Sequence, residues 1–152
     1  INSNYFDVIM LAFSIMNQNA KKEILPKTIS KNIATMSMFV VRSLFSVKGR
    51  LQQDFFRLVK DKQLPEWFLD KKEPLEYILK DSGANNIIDA CYRYVRHQQG
   101  IDTVLFGTGN VDHLKKNIES ILAPELSKES VSKINLYFSH LKGVGLDFPE
   151  RK

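Results

Sequence analysis

Apolar and polar positions follow two rhythms along this chain, and the rhythm switches at regular intervals. "FDVIMLAF", Phe6 to Phe13, is almost continuously apolar, the pattern of a strand covered on both faces of a parallel sheet. In "NQNAKKEILPKTISKN", Ile24, Leu25, Thr28 and Ile29 make one helical stripe, with Pro26 placed in or near a first turn. "IATMSMFVV", Ile33 to Val41, predicts a second strand. After the "SVKG" loop, "RLQQDFFRLVKDKQ" sets Leu51, Phe55, Leu58 and Val59 on one face of a second helix.

The middle, "LPEWFLDKKEPLEYILKDSG", reads as a connection with Trp67 and two prolines and a short helix at Leu75 to Lys80. From Ala84, "NNIIDACYRYVRHQ" brings Ile87, Cys91, Tyr94 and Val95 into register as a helix ending before Gly100. A strand at Thr103 to Phe106 follows, then a "GTGN" turn, then a helix aligning Val111, Leu114, Ile118, Ile121 and Leu122. A last helix starts near Ser127, a good N-cap, and buries Val131, Ile134, Phe138 and Leu141. The tail "GVGLDFPERK" has no period and predicts an irregular end.

Strand, helix, strand, helix, helix, strand, helix, helix is the order of parallel βαβ units. It fits a small open α/β sheet, or the carboxyl-terminal portion of a closed (β/α)8 TIM barrel whose earlier strands are absent. A start at Ile1 rather than Met, with a strand almost at once, favours the barrel portion. Residues 1–152 are therefore expected to form a single domain that is a fragment of one barrel.

Composition narrows the classes. At 152 residues, 43% apolar and 26% charged, the chain has the makeup of a globular domain. Twenty-two Lys and Arg against 17 Asp and Glu give +5, but the charges are interspersed, as on solvated helix faces rather than a nucleic-acid patch. "YRYVRHQQ" interleaves aromatics and arginines. Tyr94 joins the apolar stripe while Arg93, Arg96 and His97 lie off it, so this is read as a surface helix. No apolar run approaches the ~20 residues that span a bilayer. One cysteine, Cys91, cannot form an internal disulfide and sits at a core spacing, which points to the reducing cytoplasm. His97, His113 and His140 lack partners at metal-ligand spacing, so no metal site is expected.

Candidate chemistry lies where parallel α/β proteins place it, at the carboxyl ends of the strands: "SIMN", "VVRS" and "GTGN". The third carries most. Gly107 and Gly109 leave the backbone accessible, the following helix offers N–H groups and a positive dipole end, and His113, Lys115 and Lys116 add donors. Spacing alone fits a phosphate cradle or a tight turn with Asn110 as N-cap.

"YRYVRHQQGIDTVLFGTGNVDHLKKNIESIL", Tyr92 to Leu122, resembles the carboxyl-terminal segment of the aldo/keto reductases, where a helix leads into the eighth barrel strand and a Gly-Thr/Ser-x-Asn turn. "FDVIMLAFSIMNQNAKKEILPKTISKNIATMSMFVVRSL" resembles that family's sixth strand, sixth helix and seventh strand, in the same order. The resemblance implies an oxidoreductase that reduces carbonyls by hydride transfer from NADPH. It implies Gly107, Thr108, Gly109 and Asn110 at the cofactor phosphates, His113 at the adenosine 2′-phosphate and Asn117 at the adenine. Met10 takes the place of a glutamine that holds the carboxamide, and Met38 or Phe39 the place of a ring stacked on the nicotinamide. NADP is the implied cofactor, with NAD as the alternative, and a small carbonyl or alcohol the substrate. The family's tyrosine, lysine, aspartate and histidine lie in earlier strands, so no catalytic residue is assigned here and the 152 residues alone are expected to be inactive. The rival is a stand-alone α/β module that binds a nucleotide or protein partner without catalysis.

Overall fold

The computed structural model describes residues 1, 5–70 and 73–146. Strands β1 (Val8–Ala12), β2 (Ala34–Met38) and β3 (Thr103–Val104) form a parallel sheet in the order β1-β2-β3. Around it run α1 (Ala20–Glu23), α2 (Leu25–Ser30), α3 (Ser43–Ser46), α4 (Arg50–Lys60), α5 (Trp67–Asp70), α6 (Pro74–Leu79), α7 (Ile87–Arg96), α8 (Val111–Leu122) and α9 (Lys128–Phe138). The expected α/β class with parallel strands is what forms. The strands are shorter than their apolar runs, and the first helix is split. Ile24 breaks it, and Pro26 takes the first turn of α2, where its missing N–H costs nothing. The four-residue helices α3 and α5, unlike the equally short α1, arise inside segments read as connections. The expected irregular tail lies partly beyond Leu146, outside the described residues.

Register explains which face is covered. Leu11, Ser37 and Val104 align across the sheet and are buried; so is Thr35 beside Ile9. The alternate row, Met10, Met36 and Thr103, points the other way, and Met10 and Val8 are about half exposed. The expectation that β1 is covered on both faces is therefore corrected. Side chains alternate along a strand, and the helices cover one face only.

The covered face packs on α7, whose Ala90, Cys91, Tyr94 and Val95 are buried with Phe13, Leu25, Ile134 and Phe138 in one core. Phe13 and Tyr94 stack at 6.1 Å between ring centroids. Between α4, α5 and α9, Tyr137 meets Trp67 and Phe68 edge to face and Phe138 meets Phe68 likewise, while Trp67 and Phe68 stack and Phe55 tilts against Phe68, arrangements that aromatic quadrupoles favour. Thr35 ties the sheet to the chain entering β3: its backbone N–H donates to Asp102 Oδ2 at 2.7 Å and its hydroxyl to the Gly100 carbonyl.

Two sequence readings change here. Arg93, read as a surface residue, is 6% exposed. On α8 the aligned residues Val111, Leu114, Ile118 and Leu122 are exposed, while Asn117, Ser120 and Ile121 are the more buried positions. Helical spacing identifies a stripe but not the surface it meets.

Candidate functional site

The turn 107–110 leaves β3 at the carboxyl edge of the sheet and enters α8. Asn110 is the N-cap: its Oδ1 accepts from the N–H groups of Asp112 at 2.8 Å and His113 at 3.1 Å. Asn110 N–H in turn donates to Thr108 Oγ. The plain-turn reading is thus correct for Asn110. Two of the helix-start amides counted as anion donors are already satisfied, so the dipole end of α8 is not an open site by itself.

The glycines behave differently. Neither Gly107 nor Gly109 has positive φ, and a Cβ built on either meets nothing within 4 Å. Among the described residues, nothing around them requires glycine. Among the described residues, the N–H groups of Gly107, Thr108 and Gly109 donate no backbone hydrogen bond. Three consecutive amides at an exposed turn, with no Cβ on two of them, present donors that a ligand can approach closely.

Beside this turn lies a cavity of about 560 Å³ bordered by Phe45, Tyr92, Thr108, His113, Lys116 and Asn117. Its walls come from four places: the segment after β2, the inner face of α7, the glycine turn, and α8 one and two turns in. Tyr92, one of the residues bordering it, packs edge-on against Phe106 at 5.8 Å between ring centroids. Burial, and then neighbouring Cys91, push its hydroxyl up to about 12, so it stays protonated and neutral. A second cavity of about 340 Å³, bordered by Met38, Phe39 and Leu105, shares Val41, Tyr92 and Gly107 with the first. Phe39 holds φ +65°, left-handed backbone that costs a bulky residue about 1–3 kcal/mol and persists only where the surroundings dictate it.

The predicted residues therefore separate. Gly107, Thr108, His113 and Asn117 border one cavity, joined by Lys116; Met38 and Phe39 border the next. Gly109 and Asn110 are exposed on the turn itself. Met10 lies on the open face of the sheet, 53% exposed. Phe45 and Tyr92 were missed by sequence reasoning. The only signal for Tyr92 was its spacing of three from Asp89 on one helix face, and Phe45 lies in a helix the sequence pattern does not announce.

Among the described residues no group of three or more His, Cys, Asp and Glu is placed to hold a metal ion, and no helix is long and apolar enough to cross a membrane. Tyr94 donates to Asn135 Oδ1 at 2.7 Å in the core, and Tyr77 and Tyr137 belong to the aromatic cluster around Trp67.

A parallel sheet flanked by helices, with a cavity at the carboxyl ends of its strands, is the architecture of an α/β protein. Comparison with known proteins narrows this. The chain belongs to the aldo/keto reductase family, whose sequence profile matches residues 4–136. Among solved structures, the holo form of aldo-keto reductase AKR11C1 from Bacillus halodurans superposes with a TM-score of 0.55 at 15% identity, over 95% of this chain and 46% of that one. The apo form of the same protein gives 0.53 at 14% identity, over 92% and 46%. At these identities the likeness is one of fold. The chain spans about half the length of these relatives, at 46% of each. No curated protein matches it.

Proposed function

We propose that residues 1–152 are a single domain forming the carboxyl-terminal portion of a (β/α)8 barrel. In this reading they bind the cofactor of an NADP(H)-dependent aldo/keto reductase acting on a small carbonyl or alcohol. The observation that carries the cofactor assignment is the unbonded run of amides at Gly107, Thr108 and Gly109, next to His113 and Lys116. A phosphate dianion needs several converging donors and a positive field, and the turn supplies both. The cavity volume suits such a ligand. The exposed residues Val8, Ala34 and Met10 on one face of the sheet support the barrel reading, because the inward row of barrel strands is the one that further strands enclose.

Each residue then has a task. The turn amides and Thr108 hydroxyl donate to phosphate oxygens, His113 and Lys116 face the 2′-phosphate, and Asn117 offers an amide to the adenine edge. Phe39, the aromatic of the two candidates, supplies a ring at the nicotinamide end. Met10 cannot replace a glutamine as a carboxamide donor, since a thioether is a weak acceptor only. A bound reduced nicotinamide supplies hydride to the carbonyl carbon. The proton for the carbonyl oxygen comes, in this reading, from residues outside the 152. Tyr94 and Tyr77 are engaged elsewhere.

The test is to titrate the chain with NADPH by nicotinamide fluorescence and then add a small aldehyde while following absorbance. Saturable binding without turnover is expected. Absence of binding overturns the cofactor assignment and favours the non-catalytic module. Turnover by the chain alone overturns the placement of the proton donor.

A further inference from the structure

Arg50 and Arg57 stand one turn before and one turn after Asp54 on α4 and enter none of the roles above. Asp54 is buried, and its two oxygens are divided between them: Arg50 Nε lies 3.3 Å from Oδ2 and Arg57 Nη2 2.7 Å from Oδ1. Each guanidinium thus commits one nitrogen to the carboxylate. Among the described residues, their other nitrogens and the Gln53 side-chain amide have no partner. These four residues border a cavity of about 340 Å³ whose other bordering residues are Gly143 and Gly145, in the chain after α9. That chain is held in place, because Val144 is buried and a Cβ on Gly145 would come within 2.9 Å of Leu44 Cδ2. Both glycines have left-handed backbone, φ +69° and +72°, and among the described residues neither N–H donates a backbone hydrogen bond. The cavity shares no bordering residue with the two described above.

One arginine would neutralise the buried carboxylate. The second leaves the group with a net positive charge, and Asp54, with both oxygens engaged, acts as a brace that sets the two forks in place rather than as a free acid facing the cavity. We propose that this cavity is a binding site for a phosphate dianion, free or carried as a monoester on a small molecule, held by Arg50, Arg57 and the amides of Gly143 and Gly145. A carboxylate offers two oxygens in one plane, which a single guanidinium satisfies. A phosphate offers three that diverge, and these suit donors arriving from two chain segments. Backbone that alternates into the left-handed region is one way a chain gathers amides around an anion. The volume leaves room for a small organic group beside the phosphate. The site is independent of the cofactor reading.

The chain is titrated near neutral pH and at constant ionic strength with inorganic phosphate, glycerol 3-phosphate and succinate, following the Gly143 and Gly145 amides in ¹H–¹⁵N spectra. Saturable shifts of those amides are expected with both phosphates, and succinate is expected to bind about tenfold more weakly. Arg50→Gln and Arg57→Gln should each weaken the phosphates about tenfold. Each variant keeps one arginine on Asp54, so the buried carboxylate is not left alone, and thermal melts check that the fold is kept. Tighter binding of glycerol 3-phosphate than of phosphate upholds the site and identifies an ester as its ligand; equal binding upholds it and identifies the free ion. Amides that stay fixed at high phosphate, shifts of equal strength in both variants, or succinate matching the phosphates overturn the proposal. The Gly107 turn has its own amides in the same spectra, so the cofactor reading stands or falls separately.

Discussion

Arg93 reaches back one helical turn to Asp89, with Nη1 3.5 Å from Oδ2, and both side chains are more than nine-tenths buried. The same guanidinium donates to the carbonyls of Gly83 before α7 and of Pro124 and Glu125 after α8. It therefore clamps the two helices that wall the larger cavity. Replacing Arg93 by Met leaves Asp89 buried and unpaired, along with three carbonyls. Equilibrium unfolding in denaturant should show a loss of about 3–5 kcal/mol. Arg93→Lys should also destabilise, because one ammonium cannot span carbonyls on both sides of the helix pair.

The glycines separate fold from ligand. Gly100 has φ +86°, and a Cβ there would lie 3.0 Å from Ile29 Cδ1 and 3.2 Å from Leu25 Cβ. Gly100→Ala should lose about 1–3 kcal/mol. Gly107→Ala meets no neighbour and no conformational barrier, so its melting temperature should hold or rise slightly as the unfolded chain loses freedom. Its affinity for NADPH should nonetheless fall, since the added methyl sits where the phosphate approaches. Thermal melts and a fluorescence titration on the same two variants decide this.

His113 stands where the resemblance puts a basic residue. Arginine there adds a second donor in a fixed plane, so His113→Arg should tighten NADPH about tenfold and leave NADH unchanged. Parallel titrations with the two nucleotides measure it. Equal gains for both would place His113 away from the 2′-phosphate.

Alkaline pH should unfold the protein through groups buried in their neutral forms. Burial pushes the Cys91 thiol and the Tyr94 hydroxyl up, and Tyr92 to about 12. All three stay protonated in the native state after the unfolded chain has begun to release its protons. Their stabilisation is complete below the ordinary thiol value of 9.0 and is lost above it, more steeply past the tyrosine value of 10.0. Each group adds a slope of up to about 1.4 kcal/mol per pH unit. Melting temperatures read from pH 7 to 11 should decline along that course, and Cys91→Ala should remove the earliest part.

Much of the fold was legible because period and capping act locally. α8 runs over the predicted Val111–Leu122, and Ser127 caps α9 as expected, accepting from Ser130 N–H. What escaped was decided at a distance. An apolar run shows that β1 is a strand, yet whether one face or two are covered depends on elements elsewhere in space. Arg93 looks like any surface arginine until carbonyls 10, 31 and 32 positions away are folded onto it. At the candidate site, "GTGN" marked a strand-to-helix turn, but the division within it was hidden. Asn110 caps the helix, whereas a Cβ on either glycine would meet nothing among the described residues.

The central claim, that the Gly107 turn receives a nucleotide's phosphates, is tested most directly by a two-dimensional ¹H–¹⁵N spectrum of the chain titrated with NADPH. The account predicts saturable shifts concentrated on the backbone amides of Gly107, Thr108 and Gly109 and on His113 and Asn117. It is contradicted if those amides stay fixed at saturating NADPH, or if the shifts gather on another face of the molecule.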